Sequence, residues 1–388
     1  MKKNIIIFYV LAFVQGLIFV SSVATLYRTN NGITLWEMGI IESIFAFLII
    51  VFEIPWGYIA DHIGYKRTII IANAFYFLSK LVFYLANSFK TFLLERVLLA
   101  LALSGLSGVD SNLLYLSLDN KDDATKVYAI QGAFGTLGMV VSSLSFSYLL
   151  NTNMRLGALI TSVAYLIAVV LSCFLDDYKV IKQSKVTFSQ IVRSLYDSKH
   201  IILCLIASTL LVETLHTFTI FYNQLQYTRV NLDIKYFAPI FVVLQLVGLL
   251  SGVVAKLTKY FKKEMIGLCL YLVGIIGSIM LVYTKTIVAS IIIFMLMTLS
   301  EALYLAIFSA IQNDSIKISS RATMLSIYSM INNVVMMFTS TSFGYMSSLS
   351  LEYAYRLGFV FSFVGMLLFV WYWIIETNVQ HLNKKIKK

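Results

Sequence analysis

Three ionisable side chains in the second half of the chain, Glu213, His216 and Glu301, could move protons or hold a cation. Glu213 and His216 stand three residues apart and so share a face on a helix, where carboxylate and imidazole can tune each other's protonation. The same E-x-x-H spacing occurs in di-metal bundles, but a metal needs further ligands from neighbouring helices, and the chain has only 4 His. No metal and no cofactor is expected. Two readings stand for the pair: a group that carries protons, or a polar pair that only satisfies itself. In the first half, Arg96 follows Glu95, and Asp110 lies farther along the same apolar run, about 21 Å along a helix axis. Gln15 leads a set of amides, with Gln131, Gln245, Asn332 and Asn333, that either face a substrate or tie helices together.

All of these lie in apolar runs. The 388 residues are 59% hydrophobic with mean hydropathy +0.84, far above a soluble domain. Runs of about 20 residues, the length that crosses a bilayer core, recur at 4–27, 35–60, 68–88, 92–118, 127–150, 156–175, 200–223, 236–256, 264–284, 287–311, 322–348 and 355–376. Twelve crossings follow. With the N-terminus inside, the inner segments hold 21 Lys and Arg and the outer ones 7, so both termini are expected in the cytoplasm. The net charge of +11 is spread over short inner loops and reads as topological charge, not as a nucleic-acid surface. Cys173, Cys204 and Cys269 all fall in apolar spans, which argues against a disulfide framework. The opening Met-Lys-Lys and apolar run are too long for a signal peptide and are taken as span 1.

A charged group near mid-membrane costs about 2.5–3.5 kcal/mol. Glu213 and Glu301 fall near the middle of spans 7 and 10, so each asks for a reason. Arg96 enters near the outer end of span 4, where it could snorkel to the interface; Lys80 in span 3 reads as a snorkelling residue.

Between spans 2 and 3 stands Gly57-Tyr-Ile-Ala60-Asp61-His-Ile-Gly64-Tyr-Lys66-Arg67. It resembles the loop motif G-x-x-A-D-x-x-G-R/Y-K/R-R of the major facilitator superfamily, with every named position in register. A weakened copy, Gly252-Val-Val-Ala255-Lys256-Leu-Thr-Lys259-Tyr260, follows 195 residues later, and Asp119 and Asp314 repeat the same offset. Two agreements at one offset point to an internal duplication. Glu53-Ile-Pro55, Ser107-Gly108, Leu114-Tyr115 and Arg321-Ala-Thr-Met-Leu-Ser326 look like a branch of twelve-helix bacterial drug exporters. The arginine motif of proton antiporters is present as Arg96, with Ala100 where the motif has glycine, and the resemblance implies proton-linked gating as the alternative to snorkelling. The span 5 antiporter motif survives only as Gly132, Gly135 and Gly138, without its proline.

The resemblance implies an all-α membrane protein of twelve helices in two six-helix bundles: residues 1–176, a cytoplasmic linker 177–199, and 200–388 with a cytoplasmic tail. Residues 188–196 of the linker have the spacing of a surface helix or belong to a solvated connector. Spans 1, 4, 7 and 10 would line the cavity. Asp61 would face the start of span 11 at Arg321, and Lys66 or Arg67 would reach Asp119. Together with Gly57 and Gly64, these form an inner latch that opens as the halves rock. The expected activity is secondary transport by alternating access, most simply proton-coupled export of an amphipathic, cationic or peptide-like compound. Nutrient uptake by proton symport and a transport-dead sensor are the alternatives. No nucleotide-binding loop and no nucleophile–base spacing is present, so an enzyme is not expected. The partners implied are the substrate, protons and the lipid of a cell membrane, with no nucleic acid, and the chain is expected to act as a monomer.

Overall fold

A computed structural model describes residues 2–148, 153–178, 200–316 and 321–386. The proposed surface helix of the linker and Ser319–Ser320 before span 11 lie outside the described residues, as does the side chain of Arg321. Among the described residues every regular element is helical. In chain order they are α1 (Lys2–Gly16), α2 (Ala24–Asn30), α3 (Leu35–Ile63), α4 (Tyr65–Leu85), α5 (Phe89–Leu106), α6 (Val109–Leu116), α7 (Ala124–Tyr148), α8 (Met154–Cys173), α9 (His200–His216), α10 (Asn223–Arg229), α11 (Phe237–Gly248), α12 (Val254–Leu257), α13 (Lys263–Tyr283), α14 (Ile287–Ser315), α15 (Arg321–Leu349) and α16 (Leu351–Ile386). Helix is the only open-chain conformation that satisfies its own backbone in lipid, so long apolar runs fold this way.

Eleven stretches among the described residues are long and apolar enough to cross a membrane. The twelfth expected crossing is α15, whose 29 residues span about 43 Å; it is richer in polar groups, among them Asn332, Asn333 and a Thr339–Ser342 run. The helix starts follow local chemistry. Thr34 and Glu37 form a reciprocal capping box at α3, and Asn153 accepts from Leu156 N at α8 (3.0 Å).

Several crossings are broken, among them spans 1, 4 and 7, three of the four expected to line the cavity, and span 8, which passes through a 3-10 turn at Leu249–Val253 between α11 and α12. Span 1 is irregular between α1 and α2, span 4 turns at Gly108 with φ +72°, and span 7 passes through a π-helical turn at Thr217–Tyr222. Interrupted helices free backbone groups at membrane depth and are the usual supports of transporter sites.

The chain divides into two compact units, Met1–Gln183 with Leu232–Val243, and Ser184–Asn231 with Leu244–Lys388. In the first unit α4 packs on α5 and α8, and α1 on α7 and α8, around Phe8, Leu11, Ile69, Leu113, Leu114 and Ala168. The α1–α7 contact is backbone to backbone. A Cβ added at Gly138 would strike the carbonyl oxygen of Phe13, and one at Gly16 that of Gly135. Gly138 of span 5 and Gly16 of span 1 thus serve close helix approach. In the second unit α9 packs against α14, α15 and α16, with Tyr271, Tyr304, Phe218, Phe294 and Tyr355 buried. The exposed residues of both units include Leu137, Val163, Val170, Val288, Leu367 and Trp371, as expected of surfaces that meet lipid rather than water.

Candidate functional site

In the second unit the end of α9 and its π turn bring two donors to one carboxylate. Glu301, on α14, meets His216 Nδ1 through Oε1 at 3.0 Å, and accepts from Thr219 Oγ1 through Oε2 at 3.0 Å. The Glu301 side chain is 14% exposed and that of His216 44%, so the carboxylate is sheltered while the imidazole opens outward. A proton can pass between Nδ1 and Oε1 along an existing contact; which nitrogen carries it follows from the charge on Glu301. Glu213 sits one turn before His216 and is half-buried. Helical spacing puts Glu213 and His216 on one face, and the fold adds Glu301 to His216 from another helix. Thr219 was missed; the signal available was a hydroxyl three residues beyond His216 on the same face.

The first unit holds a second constellation. Arg96 donates to Glu42 Oε1 at 2.5 Å, and Arg28 lies 3.6 Å from the same oxygen. Glu95 is 3.7 Å from Arg28, 3.6 Å from Arg96 and 4.0 Å from Lys80. The Lys80 ammonium also lies over the Tyr76 and Tyr165 rings, at 5.2 and 5.8 Å from their centroids. Neither Arg96 nor Lys80 snorkels. Their side chains are 12% and 13% exposed and turn inward to carboxylates, because α2, α3, α4 and α5 all bring a charge to one level. Sequence spacing could not assemble this group, since its members come from four helices.

Gln15 is engaged within the first unit: its Nε2 donates to Asn73 Oδ1 (2.8 Å), and its carbonyl accepts from the Tyr165 hydroxyl (2.7 Å). Asp110, at the start of α6, accepts from Ser111 N (2.6 Å) and is half-buried.

At the loop motif, α3 ends and α4 begins at Gly64 with φ +89° and ψ 160°, a conformation essentially confined to glycine. Gly57 has open space around it, and Asp61 and Arg67 are exposed. Among the described residues no ion pair joins Lys66 or Arg67 to Asp119. The loop meets Asp177 instead: Lys66 N donates to its Oδ1 at 3.3 Å, and a Cβ at Gly64 would lie 2.9 Å from its Oδ2. The neighbouring Asp176 is fastened to α1 by Lys3 (2.7 Å) and by a two-way exchange with Asn4 (2.8 and 3.0 Å). The Lys3 hydrogen bond holds the Asp176 carboxyl below its usual range. In the second unit Asp314, the position that repeats Asp119, pairs at 2.7 Å with Lys263, one residue beyond the position that repeats Arg67. Replacing Gly64 by Ala combines strain of about 1–3 kcal/mol with a close approach to Asp177. The variant is expected to melt several degrees lower in detergent, and an unchanged melting curve would contradict this account of the turn.

Comparison with known proteins agrees with this architecture. The chain matches the Major Facilitator Superfamily over residues 5–317. Among solved structures it is similar to the nucleoside transporter NupG, with 14% identity, a TM-score of 0.78, and coverage of 96% of this chain and 99% of that one. It is similar to the POT family transporter PepTSo, with 15% identity, a TM-score of 0.72, and coverage of 98% and 99%. It is also similar to a bacterial homolog of the human lysosomal transporter Spinster, with 18% identity, a TM-score of 0.68, and coverage of 96% and 94%. At such identities the likeness speaks for the fold alone. No curated protein sequence matches the chain. With the family match covering well over half of its length and the helical architecture in agreement, the chain belongs to the Major Facilitator Superfamily and is a multi-pass membrane transporter, not an enzyme.

Proposed function

We propose that this transporter couples proton movement to export of an amphipathic or cationic compound, peptide-like cargo included, across the cell membrane, with both termini in the cytoplasm. The observation that carries the reading is the Glu301–His216–Thr219 contact, a sheltered carboxylate joined to a half-open imidazole at 3.0 Å. A carboxylate at membrane depth is costly to keep without a use, and this one has an imidazole through which protons can reach it. Glu213, one turn away, adds a second acidic group on the same face and suits a cationic cargo. Alternating access moves such a site from one side to the other, and a proton and a cation that compete for the same carboxylates are exchanged in the process.

The test is flux in proteoliposomes under an imposed pH gradient, with a panel of lipophilic cations, comparing the wild type with Glu213→Gln and Glu301→Gln. Movement that ignores the gradient and both substitutions would refute the coupling. Asp61 acts in this reading as a gate residue at the inner end of α3, outside the cargo site. Asp61→Asn is therefore expected to slow flux several-fold at unchanged membrane abundance; equal flux at equal abundance would remove Asp61 from the gate.

A further inference from the structure

We propose that the charge cluster of the first unit is an anion-binding site centred on the Lys80 ammonium, taking one small monoanion, either a halide or a carboxylate group. Three cations, Arg28, Lys80 and Arg96, share two carboxylates, Glu42 and Glu95, which leaves one positive charge over. The group is enclosed: the side chains of Arg28 and Glu95 are 5% and 1% exposed, and none of the other three exceeds 13%. An uncompensated charge in such surroundings needs a counterion or must be discharged.

The distances show which cation is short of a partner. Glu42 is held by Arg96 at hydrogen-bonding distance. Glu95 is shared by both arginines and by Ser79, whose hydroxyl lies 3.4 Å from Oε1. Lys80 is left with a carboxylate at 4.0 Å, beyond a hydrogen bond, and with two tyrosine rings whose faces attract a cation without neutralising it. Donors are also in excess, since two guanidinium groups and an ammonium offer more N–H bonds than two carboxylates accept. The buried Nε atoms of Arg28 and Arg96 make no hydrogen bond, and Glu95 Oε2 receives none. The ligand this arrangement fits is a small acceptor with one negative charge that takes up the excess on Lys80 and the two guanidinium groups.

The reading is independent of proton coupling in the second unit, and its test needs no cargo. The full-length protein in nanodiscs is melted at fixed pH and ionic strength while gluconate is replaced stepwise by chloride or, separately, by formate. The wild type is expected to gain about 2–4 °C in Tm, saturating as a single site does. Chloride alone, formate alone or both being effective identifies a halide site, a carboxylate site or one that reads charge only. Lys80→Gln balances the cluster and should abolish the gain, whereas Lys80→Arg should retain it. A wild type indifferent to both anions would mean that Lys80 is discharged by losing its proton, and the site would fall. An equal gain in Lys80→Gln would overturn it as well.

Discussion

Glu301→Gln is expected to cut pH-gradient-driven flux by roughly ten- to hundred-fold while leaving folding and membrane insertion intact. Glutamine keeps the volume of the carboxylate and can still accept from Thr219 Oγ1, so the packing between α14 and the π turn survives. What disappears is the ionisable oxygen opposite His216 Nδ1. Hydrogen bonds to charged groups contribute about 1.5–3 kcal/mol, and each 1.4 kcal/mol is about tenfold. Counterflow of cargo without a gradient separates the two roles. A variant that exchanges cargo but no longer responds to pH has lost coupling alone; one with neither activity has lost the binding group. A variant with wild-type gradient-driven flux would show that Glu301 is only a packed polar residue, and the proposed mechanism would have to move to Glu213.

Glu95→Ala should be the most destabilising single change in the first unit. It removes a carboxylate shared by Arg28, Lys80 and Arg96 and leaves three cations facing Glu42 alone. Breaking a buried charge group by deleting one partner costs about 3–5 kcal/mol, because the charges left behind remain desolvated. The measurement is thermal or denaturant unfolding in detergent, with the exposed Lys90→Ala as a control expected to change little. Adding Lys80→Gln to Glu95→Ala should recover part of the loss, since the excess of positive charge falls by one; such non-additivity marks groups in one network. A Glu95→Ala protein as stable as the wild type would show that water reaches the cluster and screens it.

The two experiments probe different units and different physics. Glu301 has a near neighbour in His216, and its loss is expected to be felt in function. Glu95 is enclosed by Arg28, Lys80 and Arg96, and its loss is expected to be felt in stability. The sequence offered no means of sorting them, since both are lone acids in apolar runs.

Much of the architecture was legible in the chain. Hydropathy is a property of single residues summed over a window, and lipid admits helix as the answer to a long apolar run. The crossings and the Gly57–Arg67 motif could therefore be read directly, and Gly64 indeed occupies a glycine-only turn. Helical periodicity placed His216 and Glu213 on one face because that inference needs only local geometry. Its reach ends at the edge of the helix. Glu301 approaches His216 across 85 residues of sequence, and Thr219 joins it through a helical segment whose π turn has no periodic signature.

The same limit explains Lys80, Arg96 and Asp177. A long cation near a helix end can snorkel or turn inward, and the choice depends on whether a neighbouring helix presents a carboxylate at that depth. Here α3 and α5 do. Asp177 meets the loop motif because the residues after α8 are fastened by Lys3 and Asn4 beside it; the offset to Asp119 carried no such information. By itself, then, the sequence determined a helical membrane transporter with its apolar crossings and its Gly57–Arg67 loop motif. Only the tertiary structure decided which charges meet, because helix rotation and depth are set by side-chain fit between helices, such as Gly16 against Gly135 and Gly138, and no single helix contains that information.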